Sequence, residues 1–335
     1  MNPVAKFKTA AGRCIFTFQV EAFPTLIANI YVIDDGGRLI LVDSGSGRDV
    51  SNRHLLEGFQ ALRDRFGVSF TLADLDLILI THGHMDHFGG LPFVREHTDA
   101  PVGVHVLDRR VLSNYEERVV VAARRLEQFL RRAGVGEQYQ QTLMRMYLYA
   151  KGFYRSTPVD FFLEDGEPVA GIDVYHVPGH CPGQVCLQVD DVLLTADHVL
   201  ARTTPHQAPE SITLNMGLGH YLASLAKIRG VEGVTLALGG HETPIEDLAG
   251  RIEAIEQFHK VRLEAVARLC EDEPRSVVEI SRALFGRVDG YHILLALEET
   301  GAHVEYLYQR GELLASNLEE IETERDPVIR YQRAR

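Results

Sequence analysis

Residues 81–90 read Thr81-His82-Gly83-His84-Met85-Asp86-His87-Phe88-Gly89-Gly90, and they follow directly on the apolar run Leu77-Ile78-Leu79-Ile80. A short aliphatic run bounded by polar and glycine-rich sequence reads as a buried strand. His82, His84, Asp86 and His87 then emerge together at the end of that strand. Three imidazoles and a carboxylate from one segment exceed what a single tetrahedral zinc normally takes. The excess points to two metal ions.

Two ions need ligands beyond this segment, and the rest of the chain offers them at the ends of other strand-like runs. His180 follows Ile172-Asp173-Val174-Tyr175-His176-Val177 in the turn-rich Pro178-Gly179-His180-Cys181-Pro182-Gly183. Asp197 follows Asp191-Val192-Leu193-Leu194-Thr195, and His241 follows Gly233-Val234-Thr235-Leu236-Ala237-Leu238. Asp43 closes the run Leu39-Ile40-Leu41-Val42. Taken singly, a strand-end histidine is as easily a hydrogen-bonded structural residue as a ligand. Taken together with the cluster, the set is hard to read as chance.

Asp43, the His82–His87 cluster, His180, Asp197 and His241 resemble, in order and spacing, the five motifs of the metallo-β-lactamase-fold hydrolases, over roughly residues 15–245. The resemblance implies that His82, His84 and His180 bind one metal. Asp86, His87 and His241 would bind a second, Asp197 would bridge the two, and Asp43 would support the site without touching metal. Aspartate at 197 resembles the glyoxalase II-type branch, since a cysteine commonly stands there in the lactamase branch. Where many relatives carry Ser or Thr, and often a second histidine three residues later, this chain has Cys181 and Gln184.

Paired divalent ions lower the pKa of a water they share and polarise a scissile carbonyl or phosphoryl oxygen. Asp86 and Asp197 are the candidates to move the proton toward the leaving group. Two readings of the reaction stay open. One is hydrolysis of a thioester or related small acyl substrate, in the manner of acyl-glutathione hydrolases, with a lactone or aryl ester as variants. The other is cleavage of RNA or another phosphodiester, which related centres perform. Glutathione itself fits poorly, because no basic pair equivalent to that of glyoxalase II can be placed in residues 251–335. Imidazole and carboxylate suit zinc first, with iron and manganese as alternatives.

Composition narrows the choice. Net charge is 34 minus 47, or −13, which argues against a partner that presents a phosphate backbone, since such binding draws on clustered Lys and Arg. The arginines between Arg109 and Arg132, and those from Arg325 to the end, read as solvated faces. No apolar run approaches the roughly 20 residues of a membrane span, and residues 1–6 lack the start of a secretory signal. The expectation is a cytoplasmic protein acting on a small molecule, with a homodimer left open. Cys14, Cys181, Cys186 and Cys270 have neither zinc-finger nor disulfide-framework spacing.

The organisation follows from periodicity. Residues 26–33, the turn 34–37 and residues 38–42 predict a hairpin, and residues 51–66 a helix. Strand-and-helix alternation in each half, with the resemblance, implies an α+β fold, a four-layer αββα sandwich over residues 1–250. A helical insertion at about 106–160 is too long for a plain connection. Its aromatics, Tyr147 and Tyr154 above all, are candidates to line a substrate pocket, as are His198 and His206 after the fourth motif. The alternative for each is plain packing or backbone capping. Residues 251–335 resemble a small winged-helix-like domain: helices over 252–270, 277–285 and 291–300, a stop at Gly301, and a hairpin wing from 304–308 and 313–316. The last helix carries Glu298 and Glu299 and neither Lys nor Arg, so DNA binding is not the expected role.

Overall fold

The computed structural model describes residues 4–334. In chain order the strands are β1 (Val4–Lys8), β2 (Cys14–Phe23), β3 (Leu26–Asp34), β4 (Leu39–Val42), β5 (Leu77–Leu79), β6 (Val102–Val104), β7 (Phe161–Phe162), β8 (Asp173–His176), β9 (Val185–Val189), β10 (Val192–Ala196), β11 (Leu236–Gly239), β12 (Leu313–Ala315) and β13 (Tyr331–Arg333). The helices are α1 (Asp49–Phe66), α2 (Met85–Phe88), α3 (Leu91–Val94), α4 (Arg109–Ser113), α5 (Tyr115–Arg132), α6 (Glu137–Lys151), α7 (Leu218–Arg229), α8 (Leu248–Leu269), α9 (Val277–Phe285), α10 (His292–Gln309) and α11 (Leu318–Thr323). They fall into two compact units.

The first unit takes in the chain to Tyr115, Tyr154–Pro205 and Ser224–Ile252. It contains a seven-stranded sheet in the order β1 to β7 and a four-stranded sheet in the order β11-β10-β9-β8. Strands β1 to β4 run antiparallel, whereas β4 to β7 are parallel neighbours. Alternation along β2 divides its side chains between two faces. Phe16 and Phe18 meet Phe59, Phe66 and Phe70 on the α1 side. Ile15 belongs instead to a core shared between the sheets, with Ile33, Ile40, Val42 and Leu79 from one and Val174, Leu187, Leu194 and Leu238 from the other. Against the second sheet, the half of α7 from Ser224 donates its Ser224 hydroxyl to Pro178 O and Lys227 Nζ to His176 O. The expected hairpin forms with Tyr31 opposite Val42. The α+β sandwich is thereby realised, and β1, β2, β6, β7 and β9, which carry no motif, are its additions to the sequence reading.

The second unit comprises Glu116–Phe153, His206–Ala223 and Glu253–Arg335. Its core gathers Leu126, Leu130 and Leu143 from the helical insertion with Val266, Ile280, Leu297, Val304 and Leu307 from the C-terminal helices. The sequence pattern places the insertion in the catalytic domain; its helices α5 and α6 instead share their apolar face with the C-terminal segment. Ser276 and Glu279 form a capping box that starts α9, as the pattern Ser-x-x-Glu requires.

Two expectations for the C-terminal segment are corrected. Helix α10 passes through Gly301 and continues to Gln309, so Val304–Tyr308 is helical and forms no wing strand. Leu294, Leu297, Gly301, Val304 and Leu307 lie three or four residues apart and keep one face toward the core, and this period prevails over the strand-like composition of residues 304–308. Gly301 marks a close approach: a Cβ there would lie 2.7 Å from the Phe129 ring and 2.8 Å from Pro209. The small sheet pairs β12 with β13, Leu313 opposite Arg333.

Candidate metal centre

The side chains singled out by sequence converge within the first unit. Asp43 follows β4, His82 follows β5, and Asp86 and His87 ride on α2. His180 lies on the β8–β9 loop, Asp197 after β10 and His241 after β11. A backbone bond from Val185 N–H to Thr81 O, 2.9 Å long, joins the two sheets at this end. Ligand atoms of His82, His84 and His180 lie within 4.8 Å of one another, as do those of His82, His87 and Asp197 and those of Asp86, His87 and His241. Asp197 sits centrally: its Oδ2 is 3.3 Å from His241 Nε2 and 3.7 Å from His180 Nε2, and its Oδ1 is 3.6 Å from His87 Nε2.

Hydrogen bonds set which nitrogen each imidazole presents. The Asp43 carboxylate accepts from Thr81 N–H, from the Thr81 hydroxyl and from His87 Nδ1, each at 2.8 Å. Having donated to Asp43, the Thr81 hydroxyl accepts from His82 Nδ1 at 3.1 Å. His241 Nδ1 donates to Ile27 O at 2.6 Å. In all three rings Nδ1 is committed to an outer acceptor and Nε2 is left to face the cluster, the arrangement that outer carboxylates and carbonyls impose on metal-binding histidines. Nε2 of His82 and of His87 is buried with no hydrogen-bond partner. Buried polar atoms ordinarily find a hydrogen-bond partner, so this donor set fits metal ions.

The electrostatics agree. Burial, then the neighbouring His87 and His84, drives the His82 pKa well below 6.5. For His87 burial opposes the charged form, yet Asp197, Asp86 and Asp43 outweigh it and hold the pKa well above 6.5. The same contest at His241, with Asp197 and Asp86, ends at about 10. Asp86 and Asp197 are kept below the usual carboxylate range despite burial, by His87 and His241. Two buried carboxylates thus call for positive charge at this point, which protons on His87 and His241 or bound cations can equally provide.

Other residues that order the site carried no motif. Asn29 Nδ2 donates to Gly239 O at 3.0 Å and Glu242 O at 3.1 Å, and the Tyr31 hydroxyl donates to Gly239 O at 2.6 Å, together fixing the turn that bears His241. The Gln184 side-chain oxygen accepts the N–H of Asp197 at 3.1 Å and of His198 at 2.5 Å. Their pairing with distant backbone is invisible to local pattern; only the departure at position 184 was a signal.

None of the four substrate candidates belongs to the three groups. His198 is fully buried, and burial takes its pKa down to about 3. His206 is in the second unit, its Nε2 3.2 Å from Glu298 and its Nδ1 3.4 Å from Glu299. Tyr147 packs on the helical core of that unit. Tyr154 belongs to the first unit, is buried, and meets Phe88 and Tyr115 at ring separations of 6.2 and 6.0 Å. There it backs α2, the helix carrying Asp86 and His87.

Residues 24–241 match the metallo-beta-lactamase superfamily, and residues 263–334 match the metallo-beta-lactamase-like C-terminal domain. The chain belongs to the metallo-β-lactamase superfamily. Within that superfamily it resembles the "Probable metallo-hydrolase YqjP" of Bacillus subtilis, 23% identical over 83% of this chain and 86% of the relative. It is 25% identical to the "Atrochrysone carboxyl ACP thioesterase" of Aspergillus fumigatus, over 78% of this chain and 69% of that one. Among solved structures, a metallo-beta-lactamase family protein from Thermus thermophilus superposes with a TM-score of 0.77 at 27% identity, covering 96% of this chain and 98% of its own. A metallo-β-lactamase chain with every motif residue in place is a metal-binding hydrolase in kind.

Proposed function

We propose that this chain is a two-metal hydrolase of thioesters or closely related small acyl substrates. The observation that carries the reading is the convergence of His82, His84 and His180 beside Asp86, His87 and His241, with Asp197 between them. In this reading the first three residues hold one ion, the next three hold the other, and Asp197 contributes to both, zinc being the expected metal. Bound there, divalent ions supply activation of water and polarisation of a carbonyl at neutral pH. The protein's own part is orientation and proton handling. Asp43 and Ile27 O keep His87 and His241 in the tautomer that presents Nε2. Asp86 and Asp197, ionised carboxylates facing the cluster, take a proton released in the attack and return it to the leaving group.

Thioester chemistry is supported by the thioesterase among the relatives, and by a net charge of −13 that disfavours a phosphate backbone. The second unit is assigned a supporting role, since α10 carries neither Lys nor Arg. The test is steady-state hydrolysis of acyl-glutathione, acyl-coenzyme A and acyl-pantetheine thioesters by zinc-loaded protein, with Asp86→Ala as control. One thioester should turn over with kcat/KM above roughly 10⁴ M⁻¹s⁻¹, and the variant should lose most of that rate. A fully metal-loaded protein that leaves the whole panel intact, yet cleaves single-stranded RNA or a lactone, would replace this reading.

A further inference from the structure

Asp108 stands immediately before α4, where an aspartate ordinarily turns its carboxylate onto the first N–H groups of its own helix. It makes no such cap. Instead Oδ2 accepts the N–H of Gly83 at 2.7 Å, and Oδ1 accepts the N–H of Gly183 at 3.0 Å. Gly83 lies between His82 and His84, and Gly183 lies three residues beyond His180. One fully buried carboxylate therefore joins the two loops that carry the His82, His84 and His180 imidazoles.

The contact is built to close tolerance. A Cβ on Gly183 would lie 2.7 Å from both Asp108 Cγ and Asp108 N, so no larger residue fits there without displacing the carboxylate. Gly83 is equally confined, with Val111 on the same turn 3.1 Å from where its Cβ would be. Burying a carboxylate is costly unless hydrogen bonds compensate, and these two backbone donors provide that compensation. A carboxylate presents two acceptor oxygens and no donor, whereas an amide of the same shape would turn its NH₂ group toward one of the two N–H groups.

We infer that Asp108 is a positioning residue of the metal centre, holding the His82–His84 loop and the His180 loop at the separation at which their three imidazoles share one ion. It touches neither metal nor substrate and acts through Gly83 and Gly183. The inference rests on the two-metal reading above. Without the clamp, the ordering of the two loops has to be met from the binding energy of the ion, and affinity falls.

The experiment is zinc titration against a chromophoric chelator, using the full chain stripped of metal, for wild type, Asp108→Asn and Gly183→Ala, with thermal melting of each metal-free protein. Asp108→Asn should weaken the tighter ion about 10- to 100-fold, the usual effect of losing an outer partner, and should change the visible spectrum of the cobalt-loaded protein. Gly183→Ala leaves the carboxylate and its charge in place but pushes them out of register, and should reproduce the loss. A folded Asp108→Asn protein that binds zinc within about twofold of wild type overturns the inference, given the effect expected of such partners. If Asp108→Asn does not fold, Gly183→Ala decides alone, and unchanged affinity there overturns it. Wild-type protein that binds neither zinc, cobalt, iron nor manganese would remove the two-metal reading itself, and the role of Asp108 with it.

Discussion

The His87 imidazole is held from both sides: Nδ1 on Asp43 at 2.8 Å, and Nε2 directed between Asp86 and Asp197 at 3.7 and 3.6 Å. Three carboxylates around one ring explain why Asp43 belongs to the site although it is not assigned a metal. A second carboxylate–imidazole group, in the other unit, is sensitive to pH. There His206 lies against Glu298 and Glu299, and Arg262 meets the same Glu299 at 2.7 Å. Burial opposes the His206 charge, yet the two carboxylates raise its pKa from 6.5 to about 9, while Glu299 is held below the usual 4.5. A raised histidine pKa means stabilisation that is fully present below 6.5 and fades as pH rises through about 9. His206→Ala should therefore lower the unfolding temperature at pH 6 and much less at pH near 9. A gap that stays constant across that range in thermal melts would mean the ion pair contributes nothing. His206 stands out in the sequence for its place after Asp197, but which carboxylates it meets depends on α10, some 90 residues later.

At the scale of elements, the strands that end in donor residues are legible because each is a short apolar run followed by a polar or glycine-rich break. Helices α1 and α9 are legible from their 3.6-residue period. The exception is α10, where Gly301 reads as a stop. Glycine at a helix end relieves a left-handed turn, but in a helix interior it permits close packing, and sequence alone does not separate the two. The structure separates them by placing Phe129 and Pro209 where a side chain would go. Gly301→Val should accordingly destabilise the second unit by about 1–3 kcal/mol, the typical cost of overpacking, despite valine's better helix propensity. Chemical denaturation checks this; stability equal to or above wild type would show that Phe129 moves aside freely.

At the scale of the whole molecule, the centre draws His82, Asp86 and His87 from the end of the seven-stranded sheet and His180, Asp197 and His241 from the end of the four-stranded one. Ions bound there exist only in the folded state and stabilise it by mass action, by about 2.7 kcal/mol at a hundredfold excess over Kd. Chelation should lower Tm by roughly 5–10 °C for a unit of this size, restored by zinc; an unchanged calorimetric transition would show that the donors are not filled. By itself the sequence determined which residues carry donor chemistry, in what order, and that each sits where a strand ends, because those features are local and follow from hydrophobic period and residue type. Tertiary structure alone decided that Asn29, Tyr31, Asp108 and Gln184 order the site, that His198 is buried, and that the helical insertion packs with the C-terminal helices. Each of these depends on segments that are separate in the chain, settled by burial and by backbone donors and acceptors that leave no mark on the residues nearby.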